Sequence, residues 1–148
     1  MIATKPRKIF VNLPVSNLDR SVEFFSKLGF RFNQQFTNEN ATCMIVSEEA
    51  YVMLLVNSFF QTFTQRRIAD TATFTEGIFA LSADSREEVD AIMKTALANG
   101  GSKALDPKDH GFMYQCSFYD PDGHHWEVFW MDPAAVPPTP ADETAGVA

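Results

Sequence analysis

The sequence predicts an α+β fold: two βαβββ modules that together form a half-open, eight-stranded curved sheet. Three observations predict it. The order strand, helix, three strands occurs twice, over about residues 8–56 and 76–131. Each predicted helix runs into glycine just before the next strand, at Gly29 and at Gly100 with Gly101. The turns between the later strands are short and polar, which favours an antiparallel meander. A module of half this chain is too small to bury a core alone, so the two must share one.

The elements follow in order. Residues 9–15 alternate as a strand, with Phe10 and Asn12 on one face and Ile9, Val11 and Leu13 on the other. Pro14 has no N–H to donate and places the strand end or an edge there. Asn17 is a helix N-cap, and Leu18, Val22, Phe25 and Leu28 form an apolar stripe at helical spacing. Gly29 ends that helix in a left-handed cap. Residues 30–36, 41–47 and 51–56 are the next three strands. The connector 57–75 carries Phe59, Phe60 and Phe63 among polar residues, then Arg66 and Arg67. A loop of that length is either a lid or partner contact, or a strap pinned by its phenylalanines.

The second module repeats the first. Residues 77–83 are a strand, and Asp84 caps a helix with Glu87 completing a capping box. Val89, Ile92, Met93, Ala96 and Leu97 give the helix its apolar stripe. Residues 102–105, 112–119 and 124–131 are the closing strands. The domain is expected to span residues 1–131. Residues 132–148 have no hydrophobic period and are expected to form a mobile tail.

Composition narrows the function. The chain has 148 residues, 45% of them hydrophobic, with 14 phenylalanines, enough for one domain with a substantial core. Its net charge of -7 argues against nucleic acid as a partner, since that binding neutralises phosphates. No apolar run is long enough to span a bilayer. Residues 1–8 lack the apolar stretch of a signal peptide, so the expected location is cytoplasmic. Cys43 and Cys116 lie far apart in strand contexts and read as buried thiols.

The most informative stretch is Asp120-Pro121-Asp122-Gly123-His124-His125-Trp126-Glu127. Asp-Pro and Asp-Gly make a tight turn, and an aromatic-rich strand follows at once. On that strand His125, Glu127, Phe129 and Met131 share one face, and His124, Trp126, Val128 and Trp130 the other. Glu127 is therefore an acid among apolar neighbours. His124 reads as a surface histidine and His110 as a loop histidine.

This closing strand, the opening Leu13-Pro14-Val15-Ser16-Asn17-Leu18 with its helix, and the exit Leu28-Gly29-Phe30 resemble the vicinal oxygen chelate superfamily. That superfamily holds glyoxalase I, extradiol dioxygenases and the fosfomycin and bleomycin resistance proteins. The resemblance covers residues 8–132 and implies a cup between the modules. It also implies a homodimer, and in the family's metal enzymes one divalent ion held by four strands. Carried onto this chain, the ligand positions fall on Phe10, Met53, Gly77 or Ile78, and Glu127. Only Glu127 is a ligand type. Asn12 and His125 are the substitutes nearest these positions.

Several readings of Glu127 follow. It is the surviving ligand of a metal enzyme (a lyase, isomerase or dioxygenase), a polar anchor in an apolar binding cup, a buried base with a raised pKa, or an inward acid satisfied by Tyr114, Asn12 or water. The second is favoured: a small, partly apolar ligand lined by Phe10, Asn12, Met53, Tyr114 and Phe129, anchored by Glu127, with no cofactor expected. A dimeric interaction module with a vestigial cup is the blandest alternative.

Overall fold

The computed structural model describes residues 5–135. The elements are β1 Ile9–Val15, α1 Leu18–Lys27, β2 Arg31–Asn33, β3 Ala41–Ile45 and β4 Ala50–Val56, then a short helix α2 Asn57–Phe60. The second half holds β5 Ile78–Ser82, α3 Arg86–Ala98, β6 Ser102–Asp109, β7 Met113–Tyr119 and β8 His125–Met131. They form two four-stranded sheets of the same design, ordered β1-β4-β3-β2 and β5-β8-β7-β6. In each sheet the first strand pairs parallel with the last, the chain passing through the helix and two strands between them, and the remaining pairs are antiparallel. No helix among the described residues is long and apolar enough to cross a membrane.

Local chemistry sets most boundaries where the sequence places them. The Asn17 side chain accepts from the Arg20 N–H at 3.1 Å. Gly29 and Gly100 take φ of 102° and 106°, the left-handed region that ends each helix at little steric cost. Other boundaries differ. The α3 cap is Ser85, not Asp84: its hydroxyl accepts from Glu88 N–H at 3.1 Å, while the Glu88 carboxylate reaches back to Asp84 N–H. The capping box is thus one residue later than expected. The strand expected over 30–36 is cut to three residues because the Asn33 amide caps a 3-10 turn over Gln34–Phe36. β6 is longer than expected and reaches Asp109, at the expense of two register irregularities around Leu105. Of the expected tail, Asp132 to Ala135 includes a 3-10 turn, and residues 136–148 lie outside the described residues.

The two sheets share one core. Leu13, Val15, Met44, Val52 and Leu54 enter it from the first sheet, and Cys116, Phe118, Trp126 and Val128 from the second. Helix α1 joins them: the Phe25 ring lies 5.2 Å from Trp126, and Phe24 lies 6.0 Å from Phe118. Each fully buried aromatic is worth about 1.5–3 kcal/mol, so neither module retains its stability without the other. Cys43 and Cys116 are both free and buried.

The turn at Asp120 locks this arrangement. Asp120 is 4% exposed. One of its oxygens accepts from the N–H groups of Asp122 and His124 at 2.9 and 3.1 Å, the other from the Trp126 indole at 3.0 Å. Burial pushes the Asp120 carboxyl up from its ordinary value, opposed by the charge of His124 and by those donors. Asp122 points the other way, into module one. It accepts from Ser16 N–H at 2.8 Å, from the Ser16 hydroxyl at 2.9 Å, and from Arg20 at 3.1 Å and Ser21 at 3.2 Å. Ser21, on the α1 face turned to the core, is buried for this reason.

Asp120→Ala leaves the Trp126 indole, the buried His124 N–H and the partly buried Asp122 N–H without an acceptor. We expect a loss of about 3–5 kcal/mol in urea unfolding, whereas Asp120→Asn, which keeps an acceptor oxygen, loses less. Equal and small losses in both variants would contradict this role.

Candidate functional site

Strand alternation and the shared core decide which side chains are available for binding. Trp126 and Val128 fill the core, so Glu127 and Phe129 of β8 point to the opposite, outer face. Across the ladder Glu127 lies opposite Ala80 on β5 and Ser117 on β7, with Ile78 opposite His125. Ile78 is 55% exposed. Glu127 is half-buried and has no side-chain hydrogen bond among the described residues. His125 is buried beside Tyr119, ring centroids 5.3 Å apart, and its Nε2 has no partner among the described residues.

The first sheet repeats this pattern. Leu13, Val52 and Leu54 go into the core, and Phe10, Asn12, Tyr51 and Met53 face out. Phe10 stacks on Tyr51 at 4.8 Å, and Asn12 sits opposite Met53. Five of the six residues read from the sequence as cup-lining are thus on outer faces: Phe10, Asn12 and Met53 on one sheet, Glu127 and Phe129 on the other. The two sheets share no ladder.

Tyr114 is placed elsewhere. It lies opposite Trp130, on the helix side of its sheet, and donates to Asp90 of α3 at 2.6 Å. That bond, with burial, raises the phenol pKa. Arg86 packs over both the Tyr114 and Trp130 rings, at 5.3 and 5.0 Å. Tyr114 therefore does not satisfy Glu127, because the two occupy opposite faces of the sheet.

His124 also departs from expectation. It is 1% exposed, not a surface residue. Its Nδ1 meets Glu76 Oε1 at 2.7 Å and its Nε2 meets the Pro14 carbonyl at 2.6 Å. Both partners are acceptors, and only an imidazolium has two N–H donors to give them. Burial lowers the His124 pKa, but Asp120, the Pro14 carbonyl and Glu76 together raise it above the ordinary value. One side chain so ties β8 to the end of β1 and to the connector.

The connector is a strap across this junction. Thr71 donates to the Asp122 carbonyl, and Gly123, at φ 87°, lies under it so closely that a Cβ would come within 2.9 Å of Thr71 Oγ1. Phe59 and Phe63 stack edge to face at 5.1 Å. Between strap and β1 is a cavity of about 270 Å³, bordered by Asn12, Leu13, Pro14, Phe60, Arg67, Ile68 and Glu76. Of these, only Asn12 was a candidate from sequence. Arg67 was visible as half of a basic pair, and Glu76 drew no reading at all, because no local pattern fixes the path of the strap.

The profile of the Glyoxalase/Bleomycin resistance protein/Dioxygenase superfamily matches residues 9–128. The chain belongs to this superfamily. Solved structures agree on the fold. A hypothetical protein from S. aureus is 26% identical, with a TM-score of 0.73 over 88% of this chain and 95% of that one. A glyoxalase/bleomycin resistance protein/dioxygenase family enzyme from Burkholderia phytofirmans is 14% identical, with a TM-score of 0.69 over 82% and 96%. A lactoylglutathione lyase from Agrobacterium tumefaciens is 16% identical, with a TM-score of 0.63 over 86% and 95%. No curated protein matches.

The divalent ion of the superfamily's metal enzymes does not suit the residues present. At the implied positions stand a phenyl ring stacked on Tyr51, the thioether of Met53 and the aliphatic Ile78, while Gly77 precedes β5. Neither phenyl nor aliphatic side chains bind such an ion, and a thioether is too soft. Of the two substitutes, Asn12 is on the other sheet from Glu127, and His125, which shares the Glu127 face, is buried beside Tyr119 and adds only one donor to Glu127. Among the described residues no three His, Cys, Asp or Glu side chains form a metal-holding group.

The His124 contacts carry a pH dependence. A histidine whose pKa is raised on folding contributes stability that is complete below its ordinary value of 6.5 and is lost as pH climbs through the folded value. The stability difference between wild type and His124→Gln is therefore expected to shrink as pH rises above 6.5, read by urea unfolding at a series of pH values. A difference independent of pH would contradict the imidazolium.

Proposed function

We propose that the protein binds a small, partly apolar molecule in a cup formed by the outer sheet faces, with Glu127 as polar anchor and without a divalent ion. The observation that carries this reading is Glu127 itself. It is half-buried on a face turned away from the core, beside Phe129 and opposite Ala80, and no protein group among those described satisfies it. A carboxylate in that setting has unused acceptor capacity aimed outward, at a ligand's donor. Phe10, Asn12 and Met53 on the first sheet supply the apolar wall and an amide.

A homodimer completes the cup. Each chain presents its two half-sites on different sheets, so a second copy is what brings a Phe10–Asn12–Met53 face over a Glu127–Phe129 face. The exposed apolar side chains Phe10, at 47%, and Ile78, at 55%, are the ones such pairing would cover.

Three measurements test this. Protein purified without chelator is expected to carry substoichiometric metal and not to turn over the hemithioacetal of methylglyoxal and glutathione. A stoichiometric metal lost in Glu127→Ala, or turnover, would overturn the metal-free reading. In sedimentation equilibrium the wild type is expected to be a dimer, and Ile78→Arg to shift it to monomer with its circular dichroism unchanged. A monomeric wild type would remove the two-chain cup.

A further inference from the structure

The cavity between β1 and the connector strap holds a charge arrangement that the outer-face reading leaves unused. Arg67 and Glu76 both border it, and neither pairs with the other. Arg67 makes no ion pair among the described residues. Glu76 is held differently: one carboxylate oxygen is fixed 2.7 Å from the buried His124 ring, and the other has no hydrogen bond among the described residues. The Glu76 side chain is only 27% exposed. His124 is in turn anchored on the Pro14 carbonyl, and Pro14 is itself part of the cavity wall. The acceptor is thus positioned by a rigid junction, while the cation comes from the strap above it.

The rest of the lining is apolar apart from Asn12 and Thr64. Leu13, Pro14, Phe60, Ile68 and Ala69 surround the space. Asn12 donates one N–H to the Phe10 carbonyl at 3.2 Å, which leaves its amide oxygen and second N–H available. A volume of about 270 Å³ is just below the range of drug-sized ligand pockets, so the occupant is a small molecule.

We propose that this cavity takes a small organic acid bearing a hydroxyl or amino group near its carboxylate and a branched apolar body. The carboxylate pairs with Arg67, whose planar fork suits it. The hydroxyl or ammonium donates to the free oxygen of Glu76. The apolar body lies against Phe60 and Ile68. This goes beyond the outer-face cup: the cavity shares only Asn12 with it, and its polar anchors are Arg67 and Glu76 rather than Glu127. It needs no second copy of the chain.

The probes are leucine, its hydroxy-acid analogue, isocaproate, which lacks the donor, and leucinamide, which lacks the carboxylate. Each is titrated by calorimetry into the full-length wild type, Arg67→Gln and Glu76→Gln. Leucine or its hydroxy analogue is expected to bind wild type at least about tenfold more tightly than isocaproate or leucinamide, each missing contact being worth about 1.4 kcal/mol or more. Arg67→Gln is expected to lose the preference over leucinamide. Because Arg67 is exposed, that variant should fold normally and keep the class assignment testable if Glu76→Gln weakens the His124 junction. Binding of leucinamide as tight as that of leucine, or unchanged leucine binding in Arg67→Gln, would overturn the ligand class and leave the binding reading intact. If none of the four binds while other compounds raise the melting temperature, the class also falls alone. If no compound of a broad library stabilises the protein, both readings fall together.

Discussion

The structure depends on one junction, where the end of β1, the start of β8 and the connector meet around the Asp120–Gly123 turn. Four short polar links converge there, from Asp120, Asp122, His124 and Thr71. Each one alone is a modest interaction. Together they fix the angle at which the two sheets close on the shared core, because Asp120 holds the Trp126 indole while Asp122 holds the first turn of α1. The hydrophobic core supplies the larger energy but is non-directional. The polar links carry the geometry, and the buried ones, from Asp120 and His124, are costly to leave unpaired.

That geometry has a consequence for function. Because both sheets turn their Leu, Val and Trp faces toward the same core, the residues that are chemically open, Asn12 and Glu127, are turned outward on different sheets. The superfamily's four ligand-bearing strands are all present here. The side chains they carry outward are mostly aromatic, aliphatic or thioether, which suits an apolar ligand better than a divalent ion. The fold therefore keeps these outer faces with a changed donor set, and chemistry has to be argued from those side chains and not from the fold.

Much of this was legible in the sequence. Period-two alternation put Glu127 and Phe129 on the face opposite Trp126, and Phe10 and Asn12 opposite Leu13, and the structure agrees at each position. The glycine-terminated helices marked the duplication. What failed was long-range. His124 looked like a surface residue because alternation reports which face a side chain is on, not what lies beyond that face; its partners Pro14 and Glu76 are 110 and 48 residues away. Tyr114 was read as cup-lining, and as one of three possible partners of Glu127, because the hairpin register was unknown; register alone puts it opposite Trp130. The cavity under the strap was invisible, since residues 64–77 follow no period and are placed by Thr71 and Glu76 rather than by their own pattern. The cap fell on Ser85 rather than Asp84 because both residue types can cap and the Glu88 N–H is met by the Ser85 hydroxyl.

We propose that the two outer faces meet across a pair of chains. Isotope-filtered nuclear Overhauser spectra on a sample mixing labelled and unlabelled protein test it most directly. Contacts are predicted between Phe10 or Met53 protons of one copy and Phe129 or Ile78 protons of the other. A dimer whose intermolecular contacts avoid all four residues would contradict the account.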